Sequence, residues 1–243
     1  MNKKILVLDK EDSPWIPLFE EFFADTSSTL HFFHDSRPAG AFLQKETPNV
    51  VFARPERLSL ALSQKLKVLR QNMPELRFFQ LGNAGGNSPL PFDAFFSEPS
   101  MLNPFQRRLV QHLVYPEVIH VLVVDDEAEI GVMIRDFLEN RVFPAFEVEW
   151  TEDGKKGLEL IEKGKHDIVV LDVKMPILDG RDVYREIVNR KYKIPVIIFF
   201  DAISGDEVIQ IHQIGRPVIV EKGFLHSSMP DMMALIKKKV FFG

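Results

Sequence analysis

The run Ile168-Val169-Val170-Leu171-Asp172-Val173-Lys174-Met175-Pro176-Ile177-Leu178-Asp179-Gly180 decides how this chain is read. Four apolar residues ending on an aspartate have the length and composition of a buried parallel strand. Pro176 and Asp179-Gly180 then mark a loop leading to the next element. Two further runs end in the same way: His120-Val121-Leu122-Val123-Val124 leads to Asp125-Asp126, and Val218-Ile219-Val220-Glu221 leads to Lys222. Charges at the carboxyl ends of parallel strands point into the crevice where open α/β sheets bind ligands. Three carboxylates meeting there repel one another unless a cation joins them. Oxygen ligands favour Mg²⁺, and one lysine beside them suits a phosphoryl oxygen.

Helical patterns separate these strands. Ile130, Met133, Ile134, Phe137 and Leu138 recur at the spacing of a helix packed on a sheet. Leu158, Leu160 and Ile161 follow Asp153-Gly154, and Val183, Ile187 and Val188 follow Gly180. Two more helices are expected over 204–214 and 227–240. Strands alternating with helices imply right-handed βαβ units and a parallel sheet.

The first half repeats the second. Ile5-Leu6-Val7-Leu8-Asp9-Lys10 lies on Val121 to Asp126, and Val50-Val51-Phe52-Ala53-Arg54 lies on Ile168 to Asp172. Leu76 to Gly82 lies near Ile194 to Phe200, and Ala94-Phe95-Phe96-Ser97-Glu98-Pro99 lies on Val218 to Gly223. The offset drifts along the chain, as it does between related domains with different loops. A repeat of this size means two copies of one domain. The fold class is therefore α/β: two flavodoxin-like (βα)5 doubly wound parallel-sheet domains, 1–115 and 118–243. The boundary is expected near Tyr115-Pro116-Glu117, with a helix over 106–114 closing the first domain and five helices in each.

Composition narrows the function classes. The chain has 243 residues, 45% hydrophobic, and a net charge of −5. That balance argues against a nucleic-acid or membrane-surface binder. No apolar run reaches the roughly 18 residues of a membrane span. Met1 to Asp9 is basic then apolar, but too short for a signal peptide and without a cleavage site, so it reads as a first strand. There is no cysteine, hence no disulfide framework and no thiolate metal site. The expected compartment is the cytoplasm. Lys237-Lys238-Lys239 reads as the solvated face of a last helix.

Residues 118–243 resemble the receiver domain of two-component response regulators (CheY-like). Asp172 to Gly180 matches the family's D-x-x-M-P-x-x-D-G throughout. The resemblance implies Asp172 as phospho-acceptor, Asp125, Asp126 and Asp172 as Mg²⁺ ligands, the backbone carbonyl of Lys174 as another, and Lys222 as the phosphoryl contact. It implies a histidine kinase or histidine phosphotransfer protein as donor and no enzymatic activity beyond self-catalysed phosphoryl acceptance and hydrolysis. Three positions depart from the family. Phe200 replaces the hydroxyl residue ending the fourth strand, Ile219 replaces the aromatic residue before the lysine, and Gly223 replaces the proline after it. The hydroxyl–aromatic switch therefore cannot work in its ordinary form. Phe200 is expected either to crowd the site or to fill the switch pocket, and Ser204 substitutes only if its loop folds back.

The first half resembles a degenerate receiver. Asp9 keeps one acidic place, Lys10 replaces the second, Arg54 stands at the acceptor position and Glu98 at the lysine position. Arginine is not phosphorylated as aspartate is and discourages Mg²⁺, so a neutralised site is expected in which Arg54 pairs with Asp9 or Glu98. Such a domain is expected to serve as a surface. Most of its phenylalanines read as core, while Phe92, Phe95 and Phe96 lie near the face receivers use to pair, so a homodimer is one expectation. The functional reading is a stand-alone tandem-receiver regulator acting through a downstream protein partner, since no output-domain signature appears. The alternative is a phosphorylation-independent adaptor. A small-molecule phosphatase ranks below both, because Lys174 stands where such enzymes carry a second aspartate.

Overall fold

The computed structural model describes residues 2–83, 88–99, 101–201, 204–222 and 225–243, the last range without the side chains of 225–228. It divides into two compact units: Met1–Val114 with Phe242–Gly243, and Tyr115–Phe241.

The first unit runs β1 (Lys4–Leu8), α1 (Trp15–Phe23), β2 (Thr29–Phe33), α2 (Ser36–Phe42), β3 (Val50–Ala53), α3 (Leu60–Asn72), β4 (Arg77–Leu81), β5 (Ala94–Phe96) and α4 (Leu102–Leu109). Its strands form one parallel sheet in the order β2-β1-β3-β4-β5. Successive strand residues alternate between two buried faces. Leu6, Leu8, Val51, Ala53 and Phe78 pack with Ala39 of α2 and Leu62 and Leu66 of α3. On the other face Phe52 meets Phe19 of α1 at 4.6 Å between ring centroids, and Phe96 meets Phe105 of α4 at 5.1 Å. Most of the phenylalanines are thus core, whereas Phe95 is exposed, with Arg108 over its ring.

Two expectations for this unit are corrected. Between β4 and β5 the described residues carry no helix. Gly82-Asn83 and Pro89-Leu90-Pro91 bracket that interval, and glycine and proline are the poorest helix formers. The closing helix is α4 rather than 106–114: it starts four residues earlier and gives way to a 3₁₀ turn, Val110–His112. Pro104 falls in the first helical turn, where its missing N–H has no intrahelical partner to lose.

The second unit runs β6 (Val118–Val124), α5 (Ala128–Glu139), β7 (Ala145–Thr151), α6 (Gly154–Glu162), β8 (Ile168–Asp172), α7 (Gly180–Asn189), β9 (Val196–Phe200), α8 (Gly205–Ile214), β10 (Val218–Glu221) and α9 (Leu225–Phe242). The sheet order β10-β9-β8-β6-β7 repeats that of the first unit, again all parallel. Leu122, Val124, Val169, Leu171 and Ile198 pack against Leu160, Val183, Ile187 and Ile211 of α6, α7 and α8. Both sheets have the flavodoxin-like order, so the carboxyl ends of β6 and β8 are neighbours at the centre.

The lysine run is not a solvated face. Lys237, Lys238 and Lys239 are all buried, and the Lys237 ammonium lies 5.6 Å from the centre of the Tyr115 ring. The long aliphatic stem of lysine makes such burial tolerable. Burial, helped by the charge of Arg141, lowers the Lys237 pKa. Among the described residues no helix is long and apolar enough to cross a membrane.

Candidate functional site

Asp125 follows β6, Asp172 ends β8 and Lys222 follows β10; β6 and β8 are neighbours and β10 lies one strand beyond, past β9, so their carboxyl ends deliver all three to one crevice. All three are buried. Lys222 Nζ lies 3.0 Å from Asp125 Oδ2 and 3.3 Å from Asp172 Oδ1. Asp126 is half-buried beside them, and one carboxylate oxygen from each of Asp125, Asp126 and Asp172 lies within 4.8 Å of the others. Among the described residues no other group of three or more acidic or histidine side chains is close enough to share a cation. A cleft of about 280 Å³ opens here, lined by Asp126, Glu127, Asp172, Lys174, Phe200 and Asp201.

The backbone holds the acids rigidly. The Asp125 N–H donates to Thr151 O at 3.1 Å, and its carbonyl accepts from the Trp150 indole at 2.9 Å. Glycine at 131 makes room for that indole, since a Cβ there would lie 2.4 Å from the Trp150 ring. Asp125 Oδ1 accepts from the Glu127 N–H at 2.9 Å, and Asp172 Oδ1 from the Val173 N–H at 2.8 Å. The loop after β8 closes through the Gly180 N–H, which donates to Val173 O at 2.8 Å. Asp179 caps α7 by accepting from the Arg181 N–H.

The electrostatics follow from crowding. Burial, reinforced by the charge of Asp125 and opposed by Lys222, pushes the Asp172 carboxyl up to about 6. Burial likewise raises Asp125. For Lys222 burial acts to lower the pKa, but its contacts with Glu127 and Asp125 and the charge of Asp172 outweigh it, so the ammonium is held above its ordinary value. Asp125 Oδ2 is buried with no hydrogen bond of good geometry among the described residues, and its ion-pair partner is Lys222. A buried carboxylate oxygen whose partner is a single ammonium, beside two other carboxylate oxygens, fits a small hard cation such as Mg²⁺. Asp125, Asp126 and Asp172 are the residues that would hold it.

The altered positions sit where the strands deliver them. Phe200 is half-buried, packs against the core and lines the cleft, and Ile219 is half-buried against the same core. Ser204 does not turn toward Asp172: it caps α8, accepting from the Glu207 N–H, while Glu207 reaches back to the Ser204 N–H. The expectation at Gly223 lies outside the described residues. Two participants escaped the sequence reading. Glu127 binds Lys222 at 2.8 Å, and the third acid in a row, Asp125-Asp126-Glu127, was a usable signal for it. Trp150 acts through a backbone carbonyl and leaves no spacing signal.

In the first unit the corresponding place is closed by an ion pair. Arg54 Nε donates to Asp9 Oδ1 at 2.5 Å, and the buried Asp9 also accepts from Ser13 Oγ at 2.5 Å and from the Lys10 N–H at 2.8 Å. Glu98 and Lys10 are exposed, and of the two acids expected to face Arg54 it is Asp9 that pairs with it. Arg54→Ala is expected to lower unfolding stability by about 2 kcal/mol, because it strands a buried carboxylate while Ser13 and the backbone still solvate it. Urea titration of the variant against wild type measures this.

Residues 121–234 match the response regulator receiver domain family. They are a receiver domain. Response regulator MprA of Mycolicibacterium vanbaalenii is 31% identical to the chain over 121 residues, 49% of this chain and 51% of that protein. A protein-glutamate methylesterase/protein-glutamine glutaminase of Methanosarcina acetivorans is 35% identical over 126 residues, 50% of this chain and 35% of that protein. The chain thus spans about half or less of the length of these curated relatives. Among solved structures, the response regulator domain of Thermotoga maritima CheB is similar at 23% identity and TM-score 0.47, covering 52% of this chain and 98% of that one.

Proposed function

We propose that this receiver domain accepts a phosphoryl group on Asp172 and that the chain works as a tandem-receiver regulator in a two-component phosphorelay. The supporting observation is the convergence of three carboxylate oxygens within 4.8 Å, with the Lys222 ammonium 3.3 Å from Asp172 Oδ1. The ionised Asp172 carboxylate attacks the phosphorus of a phosphohistidine on a kinase or phosphotransfer protein. The P–N bond breaks, its electron pair stays with the imidazole, and Asp172 becomes an acyl phosphate. Lys222 sits where it neutralises the incoming phosphoryl oxygens. Bound Mg²⁺ would supply further positive charge to those oxygens. The rigid backbone of Asp125 and Asp172 means that little reorganisation accompanies the step.

In this reading the first unit is a degenerate receiver kept as a surface, with the Arg54–Asp9 pair in place of a cation. With Phe200 and Ile219 at the switch positions, output runs through a contact to a protein partner that needs no hydroxyl–aromatic exchange. The exposed Phe95 is the expected place for pairing between copies.

The test is incubation with acetyl phosphate followed by a phosphate-affinity gel. Wild type is expected to shift in Mg²⁺ and not in EDTA, and Asp172→Asn not to shift at all. An unshifted wild type removes the proposal. One observation favours a second reading, a phosphorylation-independent adaptor: the cleft beside Asp172 is lined by Phe200 and offers no hydroxyl at that strand end. That reading requires Asp172→Asn to leave partner binding unchanged.

A further inference from the structure

Lys222 has one ammonium and several carboxylates around it. Nζ lies 2.8 Å from Glu127 Oε1, 3.0 Å from Asp125 Oδ2, 3.3 Å from Asp172 Oδ1 and 4.0 Å from Asp201 Oδ2. Its shortest contact is therefore not with the acceptor. Asp125 and Asp172 are buried and held by backbone N–H groups, whereas the Glu127 side chain is 52% exposed. Glu127 stands at the N-cap of α5 but makes no capping bond with its side chain, which is directed to Lys222 instead. Its carboxylate can leave Lys222 by side-chain rotation alone, whereas the buried Asp125 and Asp172 cannot, and the exposed Asp201 is the most distant of the four at 4.0 Å. Phe200 brings no hydroxyl to the cleft, so the charge of Lys222 carries a larger part of phosphoryl binding.

We infer that Glu127 is a positioning residue for Lys222. It holds the ammonium while Asp172 is unmodified and competes for it with a group bound on Asp172, which lowers the affinity of the site for that group. This inference rests on the phosphoryl-acceptor reading of Asp172.

The test uses beryllofluoride, a phosphoryl mimic, titrated calorimetrically into the full chain at saturating Mg²⁺. Loss of one charge-assisted hydrogen bond at a half-exposed carboxylate corresponds to roughly 3- to 10-fold in an equilibrium constant. Glu127→Gln is therefore expected to bind beryllofluoride that much more tightly, while its ligand-free form in EDTA loses no more stability than that one contact. Glu127→Asp keeps the charge but falls one methylene short of Lys222, so it is expected to follow Glu127→Gln. Equal or weaker binding by Glu127→Gln, with wild type binding normally, overturns the inference and leaves the acceptor reading standing. Glu127→Asp behaving as wild type while Glu127→Gln binds more tightly also overturns it, since the charge rather than the contact would then matter. No binding by wild type or Glu127→Gln removes the acceptor reading and this inference with it.

Discussion

Gly180→Ala is expected to destabilise the second unit by roughly 3 kcal/mol or more, and to abolish phosphoryl acceptance even where the protein still folds. An ideal Cβ at position 180 would lie 1.8 Å from the Asp172 carbonyl oxygen, 2.9 Å from its carbon and 3.1 Å from Val173 Cα. These are backbone atoms and cannot rotate away. Relief requires the start of α7 to part from the end of β8, which breaks the Gly180 N–H bond to Val173 O and shifts Asp172, the proposed acceptor. Gly164, with open space around the position, is a poor comparison because its φ is positive. Gly205→Ala is the fitting control, since a Cβ there meets nothing within 4 Å. Urea unfolding of the two variants side by side gives the comparison. A Gly180→Ala protein as stable as wild type would show that the loop after β8 is far more pliant than its hydrogen bonds indicate.

The second large effect concerns Asp172 and pH. Its carboxyl is pushed from an ordinary 3.8 up to about 6, chiefly by burial and then by Asp125. A carboxyl raised on folding contributes full stability below its unfolded value and loses it as pH rises through the folded value. The window is therefore about pH 4 to 6, and above it the ionised group is a standing cost. At ~1.4 kcal/mol per pKa unit, that cost is about 3 kcal/mol. In EDTA, Asp172→Asn is expected to be more stable than wild type by about 2–3 kcal/mol at pH 7.5, with the gain gone by pH 4. Mg²⁺ is expected to stabilise wild type at pH 7.5 and to have little effect on the variant, because a ligand stabilises only the state that binds it. A variant less stable than wild type at pH 7.5 would mean that the Lys222 ion pair outweighs the desolvation of Asp172.

The destabilised Asp172 carboxyl and the shared Lys222 ammonium belong to one balance of charge. Asp125, Asp126 and Asp172 repel one another, and Lys222 relieves part of that repulsion while being shared with Glu127. The first unit meets its buried Asp9 with an arginine, Arg54, which follows β3 as Asp172 ends β8. Two copies of one sheet order thus show two ways of neutralising a carboxylate at a strand end.

Sequence alone determined the sheet fold and which side chains meet at the candidate site. Buried parallel strands must be continuous apolar runs, so Val121 to Val124, Ile168 to Leu171 and Val218 to Val220 stood out, and the charges that end them could only meet at one edge of the sheet. Beside the family it resembles, it also exposed the altered positions Phe200, Ile219 and Arg54, because each carries a different residue type from the one the resemblance implies. Tertiary structure decided what spacing does not encode. Lys237 to Lys239 look like a solvated face because charge is usually exposed, yet they are buried, since a long alkyl stem lets packing override that preference. The partner of Lys222 depends on which carboxylate can swing to it, a matter of angstroms that placed Glu127 ahead of Asp172. The hold of Trp150 on Asp125 runs through a main-chain carbonyl, and such a bond needs no particular residue at the receiving position, so only the folded chain reveals it.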